Sequence, residues 1–172
     1  MTDELLDLVD DKDEIVGEVW KSKANSDPKL IHREAAIAVF NKEGEVLLQQ
    51  RALTKRNDPG VWKTTAAGHV GKGESPEAAI IREVKEELGI EIRPIFMYKS
   101  LETYKDLEIR FVYVYYSVLE KKQTLTLDKT EVMDAKRVKV EGLTKFSDTH
   151  DYSLKSGSHK MIIQAWSILK KH

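Results

Sequence analysis

The sequence predicts an α+β fold, and three observations carry that reading. Short runs rich in β-branched and aromatic residues recur along most of the chain, separated by turn-forming residues. One segment, 75–88, carries both start and stop signals of a helix. A second, near the C-terminus, sets Met161, Ile162, Ala165, Trp166 and Leu169 at helical spacing, which makes an amphipathic helix.

Taken in order, the apolar runs 5–9 and 15–20 flank Asp10-Asp11-Lys12-Asp13 and read as a hairpin, with a frayed acidic tail as the alternative. Residues 24–29 are polar with a proline and read as a loop. Strands at 34–40 and 45–50 surround the turn Asn41-Lys42-Glu43-Gly44. Asn57-Asp58-Pro59-Gly60 is a second turn. Strands follow at 92–103, 109–119 and 135–140. His150, Asp151 and His159 lie just before the last helix and read as surface polar residues.

The 172 residues suffice for one domain with a full core. Residues 1–30 then form a hairpin extension and 31–172 the core. A net charge of −1 supplies no global field toward a nucleic acid polymer or an anionic membrane, so an anionic small molecule must be captured locally. The absence of cysteine removes disulfides, thiolate metal sites and thiol nucleophiles. The acidic start lacks the basic and apolar regions of a signal peptide, and no apolar stretch nears the roughly 18 residues of a membrane span. A cytoplasmic protein is expected, and a homodimer is among the assemblies the sequence allows.

The most informative segment is GHVGKGESPEAAIIREVKEELGI, 68–90. Ser75 can cap the helix, Pro76 suits its first position, and Glu77 meets the positive end of its dipole. Gly89 can take the left-handed turn that ends it. Upstream, Gly68, Gly71 and Gly73 allow a tight loop that brings backbone close to a ligand. On a helical wheel Ile80, Ile81, Val84 and Leu88 form an apolar face, while Glu83, Glu86 and Glu87 cluster on another that Ala79 shares. Three crowded carboxylates repel one another, and a helix needing only solubility would alternate its charges. A hard divalent cation such as Mg²⁺ resolves the conflict and bridges carboxylates to phosphates.

A lone Glu-Glu pair is ordinarily a solvated surface, but the whole spacing is G-x5-E-x7-R-E-U-x-E-E-x-G-U, where U is bulky and aliphatic. It is met by Gly68, Glu74, Arg82, Glu83, Val84, Glu86, Glu87, Gly89 and Ile90. At ordinary residue frequencies, chance agreement falls below about one in 10⁸ for each start position.

In this pattern the chain resembles the Nudix hydrolase family. The resemblance implies an α/β/α sandwich around a mixed sheet, and hydrolysis of a diphosphate linkage, commonly in a nucleoside diphosphate derivative, by a metal-activated water. It implies Mg²⁺ or Mn²⁺ as cofactor, with the Gly68 carbonyl, Glu83, Glu86 and Glu87 as metal ligands. The three glutamates are also the catalytic carboxylates, and Arg82 pairs with Glu74 to hold the loop. Family members often add a loop acid, for which Glu131 and Glu108 are candidates and Glu131 is preferred. The basic cluster Arg51, Lys55, Arg56 and Lys63 precedes the motif, and Arg51 and Lys55 are the expected substrate-binding cations. Trp62 reads as core.

Residues 31–69 are also similar to isopentenyl-diphosphate isomerase, a relative with the same fold, through His32, Arg51, Ala52-Leu53, Lys55, Pro59-Gly60-Val61-Trp62 and Gly68-His69. The similarity stops where that chemistry sits. Ala67 stands at the isomerase's catalytic cysteine, Asn25 at a metal histidine, and Arg110 at one of two glutamates, Glu108 holding the other place. His32 and His69 are therefore read as structural or substrate-contact residues. Hydrolysis is the expected activity. Isomerisation and a non-catalytic nucleotide-binding module are the rivals.

Overall fold

The computed structural model describes residues 3–105, 107–149 and 154–171. The chain runs through β1 (Leu5–Val9), β2 (Ile15–Trp20), a short helix α1 (Lys21–Ala24), β3 (His32–Asn41), β4 (Glu45–Arg51), β5 (Trp62–Lys63) and β6 (Ala66–His69). It continues through α2 (Pro76–Leu88), β7 (Ile95–Tyr104), β8 (Glu108–Leu119), β9 (Val132–Lys139), a 3₁₀ turn (Val140–Gly142), α3 (Leu143–Thr149) and α4 (Ser156–Leu169). Every strand expected from the sequence forms, with ends shifted by a few residues. The short elements α1, β5, β6 and α3 were not expected, since segments of two to seven residues carry too little periodicity to be seen.

Seven strands form one sheet in the order β5-β4-β3-β8-β7, with β6 added beside β3 and β9 beside β4. The pairing of β3 with β8 is parallel and the other pairings are antiparallel, so the sheet is mixed. Along β3, Ala35, Ile37 and Val39 pack with Ile80, Val84 and Leu88 of α2. Ala36, Ala38 and Phe40 pack on the opposite side with Met161, Ile162 and Ala165 of α4. A central strand covered on both faces reads as a continuous apolar run, which is why 35–40 shows no alternation. The layers are thus helix, mixed sheet, helix.

β1 and β2 form the expected hairpin as a separate two-stranded sheet. Asp13 closes its turn in the left-handed region, at φ 71°. The carboxylate of Asp13 is buried and accepts from Arg33 Nε at 2.6 Å, Lys99 Nζ at 2.7 Å and the Tyr113 hydroxyl. These bonds tie the hairpin to β3, β7 and β8.

One assignment around α2 changes. Ile81 is 39% exposed, whereas Ala79 is fully buried among the core residues. The stripe holding Ala79, Glu83 and Glu87 is turned down onto the sheet, and Ile81 is turned out. His159 lies within α4 rather than before it, and His150 and Asp151 fall outside the described residues.

Candidate active site

The loop between β6 and α2 is fixed mainly by charged side chains. Arg82 Nε and Nη2 donate to the two oxygens of Glu74 at 3.0 Å each, and Nη2 also donates to the His69 carbonyl at 3.2 Å. This forked pairing is the geometry a guanidinium offers a carboxylate. Glu74 accepts in turn from the Gly71 amide at 3.1 Å, and Asp7 of β1 accepts from the Gly73 amide at 3.0 Å. Ser75 caps α2 by accepting from the Ala78 amide at 3.1 Å, and Gly89 ends the helix at φ 69°.

The α2 carboxylates then face β6 and β4. A Cβ placed on Gly68 would lie 2.1 Å from Glu83 Cδ, so Gly68 is required by the close approach of the Glu83 side chain to the strand backbone. Arg82 Nη1 donates to Glu83 at 2.7 Å and to Glu86 at 3.2 Å. Glu87 is 5% exposed and accepts from Gln49 Nε2 at 2.9 Å. Burial, reinforced by the charge of Glu83, pushes the Glu87 carboxyl up to about 8. Burial also raises Glu83, against the opposing charge of Arg82. Glu131 adds its charge to the field at Glu87 while pairing with Lys55 Nζ at 2.6 Å.

The structure therefore groups Gly68, Glu83, Glu86, Glu87 and Glu131. Counting Glu74, five carboxylates meet two cations, Arg82 and Lys55. An oxygen-rich set with excess negative charge fits a hard divalent ion.

Arg51 and Lys55 are engaged within the protein. Arg51 Nε donates to the Asn57 carbonyl at 2.7 Å, bracing the turn that follows β4, and Lys55 holds Glu131. Trp62 is buried as expected and meets Phe146 in a T-shaped contact at 5.1 Å between ring centres.

A second polar cluster begins at the next residue of β6. His69 stacks on His32 at 5.1 Å, and its Nε2 contacts Asn25 Oδ1 at 3.1 Å. His32 Nε2 contacts Glu108 Oε1 at 3.2 Å. One ligand atom each from His32, His69 and Glu108 would lie within 4.8 Å of the others, which is metal-site spacing. Arg110 Nη1, however, sits 2.7 Å from Glu108 and 3.0 Å from Glu34. Burial pushes Glu108 up, but hydrogen bonds from His32 and His69 and the charge of Arg110 outweigh it and hold Glu108 well below the usual carboxylate range. The two histidines thus have partners, contrary to the expectation from Asn25 and Arg110 alone.

The sequence profile of the NUDIX domain matches residues 30–156. The chain belongs to the NUDIX domain family. It is 34% identical to isopentenyl-diphosphate Delta-isomerase of Citrobacter koseri over 140 residues, 78% of this chain and 76% of that one. Identity to the isomerase of Streptomyces avermitilis is 44% over 86 residues, 50% of this chain, so the match spans somewhat under half, 44%, of that relative's length. Among solved structures, the fold is similar to DR0079 from Deinococcus radiodurans, with a TM-score of 0.76 at 21% identity, covering 94% of this chain and 98% of that one.

Four residues around these two clusters lay outside the sequence reading or were given another meaning there. Gln49 meets Glu87 from a strand 38 positions away, and Asp7 reaches Gly73 from the hairpin; neither carries a local signal. Lys63 lies close enough to Glu87 for its charge to lower that carboxyl's pKa. Arg110 read as a lost ligand, yet its place two residues after Glu108 on one strand face already set a cation beside a carboxylate.

Proposed function

We propose that this chain hydrolyses a phosphoanhydride bond in a nucleoside diphosphate derivative or a related pyrophosphate, with Mg²⁺ or Mn²⁺ as cofactor. The observation that carries the reading is the packing of the Glu83 carboxylate onto the backbone of Gly68, beside Glu86 and a buried Glu87. The Gly68 carbonyl, Glu83, Glu86 and Glu87 would hold the cation. When bound, such an ion neutralises phosphate oxygens and lowers the pKa of water.

The protein's own groups have distinct tasks. Arg82 and Glu74 position the loop so that Gly68 and Glu83 stay together. Gln49 orients Glu87. Glu131 accepts the proton of the attacking water, and Lys55 keeps that carboxylate in place. Arg51 and Lys55 are the cations for the substrate's phosphate, Lys55 reaching it while still paired with Glu131. The whole chain acts as one NUDIX domain, with residues 1–30 as an extension that steadies the Gly73 loop.

The identity to isomerases favours a second reading, double-bond migration by protonation. Against it stand Ala67, which offers no acid, and Arg110, whose guanidinium fills the space between Glu108 and Glu34. A substrate screen with Mg²⁺ or Mn²⁺ tests both readings. It covers nucleoside di- and triphosphates, dinucleoside polyphosphates, nucleotide sugars, NADH and coenzyme A, with isopentenyl diphosphate followed by NMR in D₂O. The proposal expects EDTA-sensitive cleavage of at least one phosphoanhydride and no deuterium uptake. Deuterium uptake without cleavage of any anhydride would reverse the assignment.

A further inference from the structure

A cavity of about 260 Å³ opens at the end of the sheet away from the Gly68 cluster. Its wall is built by the turn between β3 and β4, the segment that follows β8, and Arg137 of β9. Gly68 pairs with Ala35 of β3, and Asn41 on the cavity wall ends the same strand. The two sites are thus roughly 20 Å apart, at about 3.3 Å per residue of strand.

Arg137 stands opposite Leu47 in the ladder between β4 and β9, and residues directly opposite each other share a sheet face. Leu47 is fully buried in the core beneath α2, so Arg137 projects from the α2 side of the sheet. Its Nη1 is buried and has no hydrogen-bond partner, and no carboxylate among the described residues lies within 4.0 Å of the guanidinium. Glu45, two residues along β4 from Leu47, is turned to Asn41 instead and accepts from its Nδ2 at 2.7 Å. A partly buried guanidinium cannot shed its charge, and such groups are ordinarily paired.

The rest of the wall adds to the positive charge. Lys42 and Glu120 pair with each other at 2.6 Å. Lys121 and Lys122 are exposed on the wall, and neither forms an ion pair among the described residues. Three cations therefore face two acids, Glu43 and Glu45, the reverse of the balance at Gly68. A monocarboxylate would engage one of these cations. A phosphoryl group carries about −1.5 to −2 charges near neutral pH and three acceptor oxygens, enough for the arginine fork and a lysine together.

We propose that this cavity is a second anion site, separate from the carboxylate cluster, that binds a phosphoryl group, free or on a small ester. Arg137 is its principal donor, and Lys121 and Lys122 are its flanking cations.

Calorimetry in EDTA at fixed ionic strength tests this with inorganic phosphate, glycerol 3-phosphate and acetate. Without a divalent ion, the surplus negative charge at Gly68 disfavours phosphate there. Phosphate should saturate one site and acetate should not. Glycerol 3-phosphate binding as tightly as phosphate would make an ester the ligand, and its exclusion would make it the free ion. Arg137→Gln should weaken phosphate by at least about tenfold, as loss of a charged hydrogen bond implies. Lys121→Gln combined with Lys122→Gln removes two exposed charges and should weaken it by about threefold. Arg51→Gln should leave it unchanged. Phosphate should also raise the Tm of the unmodified protein and not that of Arg137→Gln. The proposal is overturned by absence of saturable phosphate binding, by equal binding of acetate, or by undiminished binding in the lysine variant. Loss of binding in Arg51→Gln but not in Arg137→Gln would overturn it too, by placing the phosphate at the other site.

Discussion

Two carboxylate clusters meet at adjacent residues of β6, one at Gly68 and one at His69, and they handle charge in opposite ways. Around Gly68 the acids outnumber the cations, and Glu87 is pushed up to about 8 by burial and the charge of Glu83. Around His69, Glu108 is equally secluded at 3% exposure, yet it is held well below the usual range. The difference lies in its partners: hydrogen bonds from His32 and His69, and then the charge of Arg110, which sits 2.7 Å from Glu108 and 3.0 Å from Glu34. A cluster that carries its own cation is complete as it folds. One in which the acids outnumber the cations keeps a surplus of negative charge. On that comparison we propose the Gly68 cluster as the place for metal and substrate and the histidine cluster as structural.

The largest effect that would sharpen the contrast concerns the acid outside the helix. Glu131 contributes to the field at Glu87, whereas Glu108 is consumed by His32, His69 and Arg110. Glu131→Gln should lower kcat by about 10²–10⁴-fold and change the acidic limb of the pH–rate profile, as expected for loss of a general base. Glu108→Gln should leave kcat nearer that of the unmodified enzyme and act on stability. The reverse ranking would assign the base to Glu108.

Removing a charge should move stability in opposite directions in the two clusters. Arg110→Met strips the cation from Glu108 and Glu34, which costs about 3–5 kcal/mol for a broken buried pair and lowers Tm on the order of 10 °C. A Tm within about 2 °C of the unmodified protein would show that the histidine cluster does not depend on Arg110.

Glu87→Gln should stabilise the metal-free protein, and the sign follows from the raised carboxyl. A group whose pKa is higher folded than unfolded supports the fold below its unfolded value and loses that support as pH rises. For Glu87 the loss runs from near pH 4.5 to about pH 8. With EDTA present, Glu87→Gln should match the unmodified protein near pH 4.5 and exceed its Tm on the order of 5 °C by pH 8.5. A gap that is constant with pH would mean that Glu87 ionises without penalty.

Much of the acidic helix was legible because its signals are local. Ser75, Pro76 and Gly89 mark its ends within the segment itself, and the spacing of Glu83, Glu86 and Glu87 follows from helical geometry. The demand for glycine at position 68 was legible as a loop requirement, but its cause, the Glu83 side chain, depends on how α2 docks. The wheel misplaced Ile81 for the same reason. Hydrophobicity alone assigns the larger residue to the core, whereas here the stripe carrying the acids is pressed onto the sheet. Gln49, Asp7 and the Arg110–Glu34 pair were invisible because each joins strands or loops far apart in the chain. Arg51 and Lys55 read as substrate-binding cations; only the fold reveals that the Asn57 carbonyl and Glu131 already engage them.

The central claim is that the α2 carboxylates, gathered on Gly68, make this NUDIX domain a metal-dependent hydrolase. Its most direct test is the turnover of Glu83→Gln on whichever phosphoanhydride the unmodified protein cleaves, measured in Mg²⁺ with an EDTA control. Glutamine keeps the shape beside Gly68 and removes the charge, so kcat should fall by at least about 10²-fold, comparable to losing one strong electrostatic contact at a reacting centre. Turnover close to that of the unmodified protein, with the fold intact, would contradict the account.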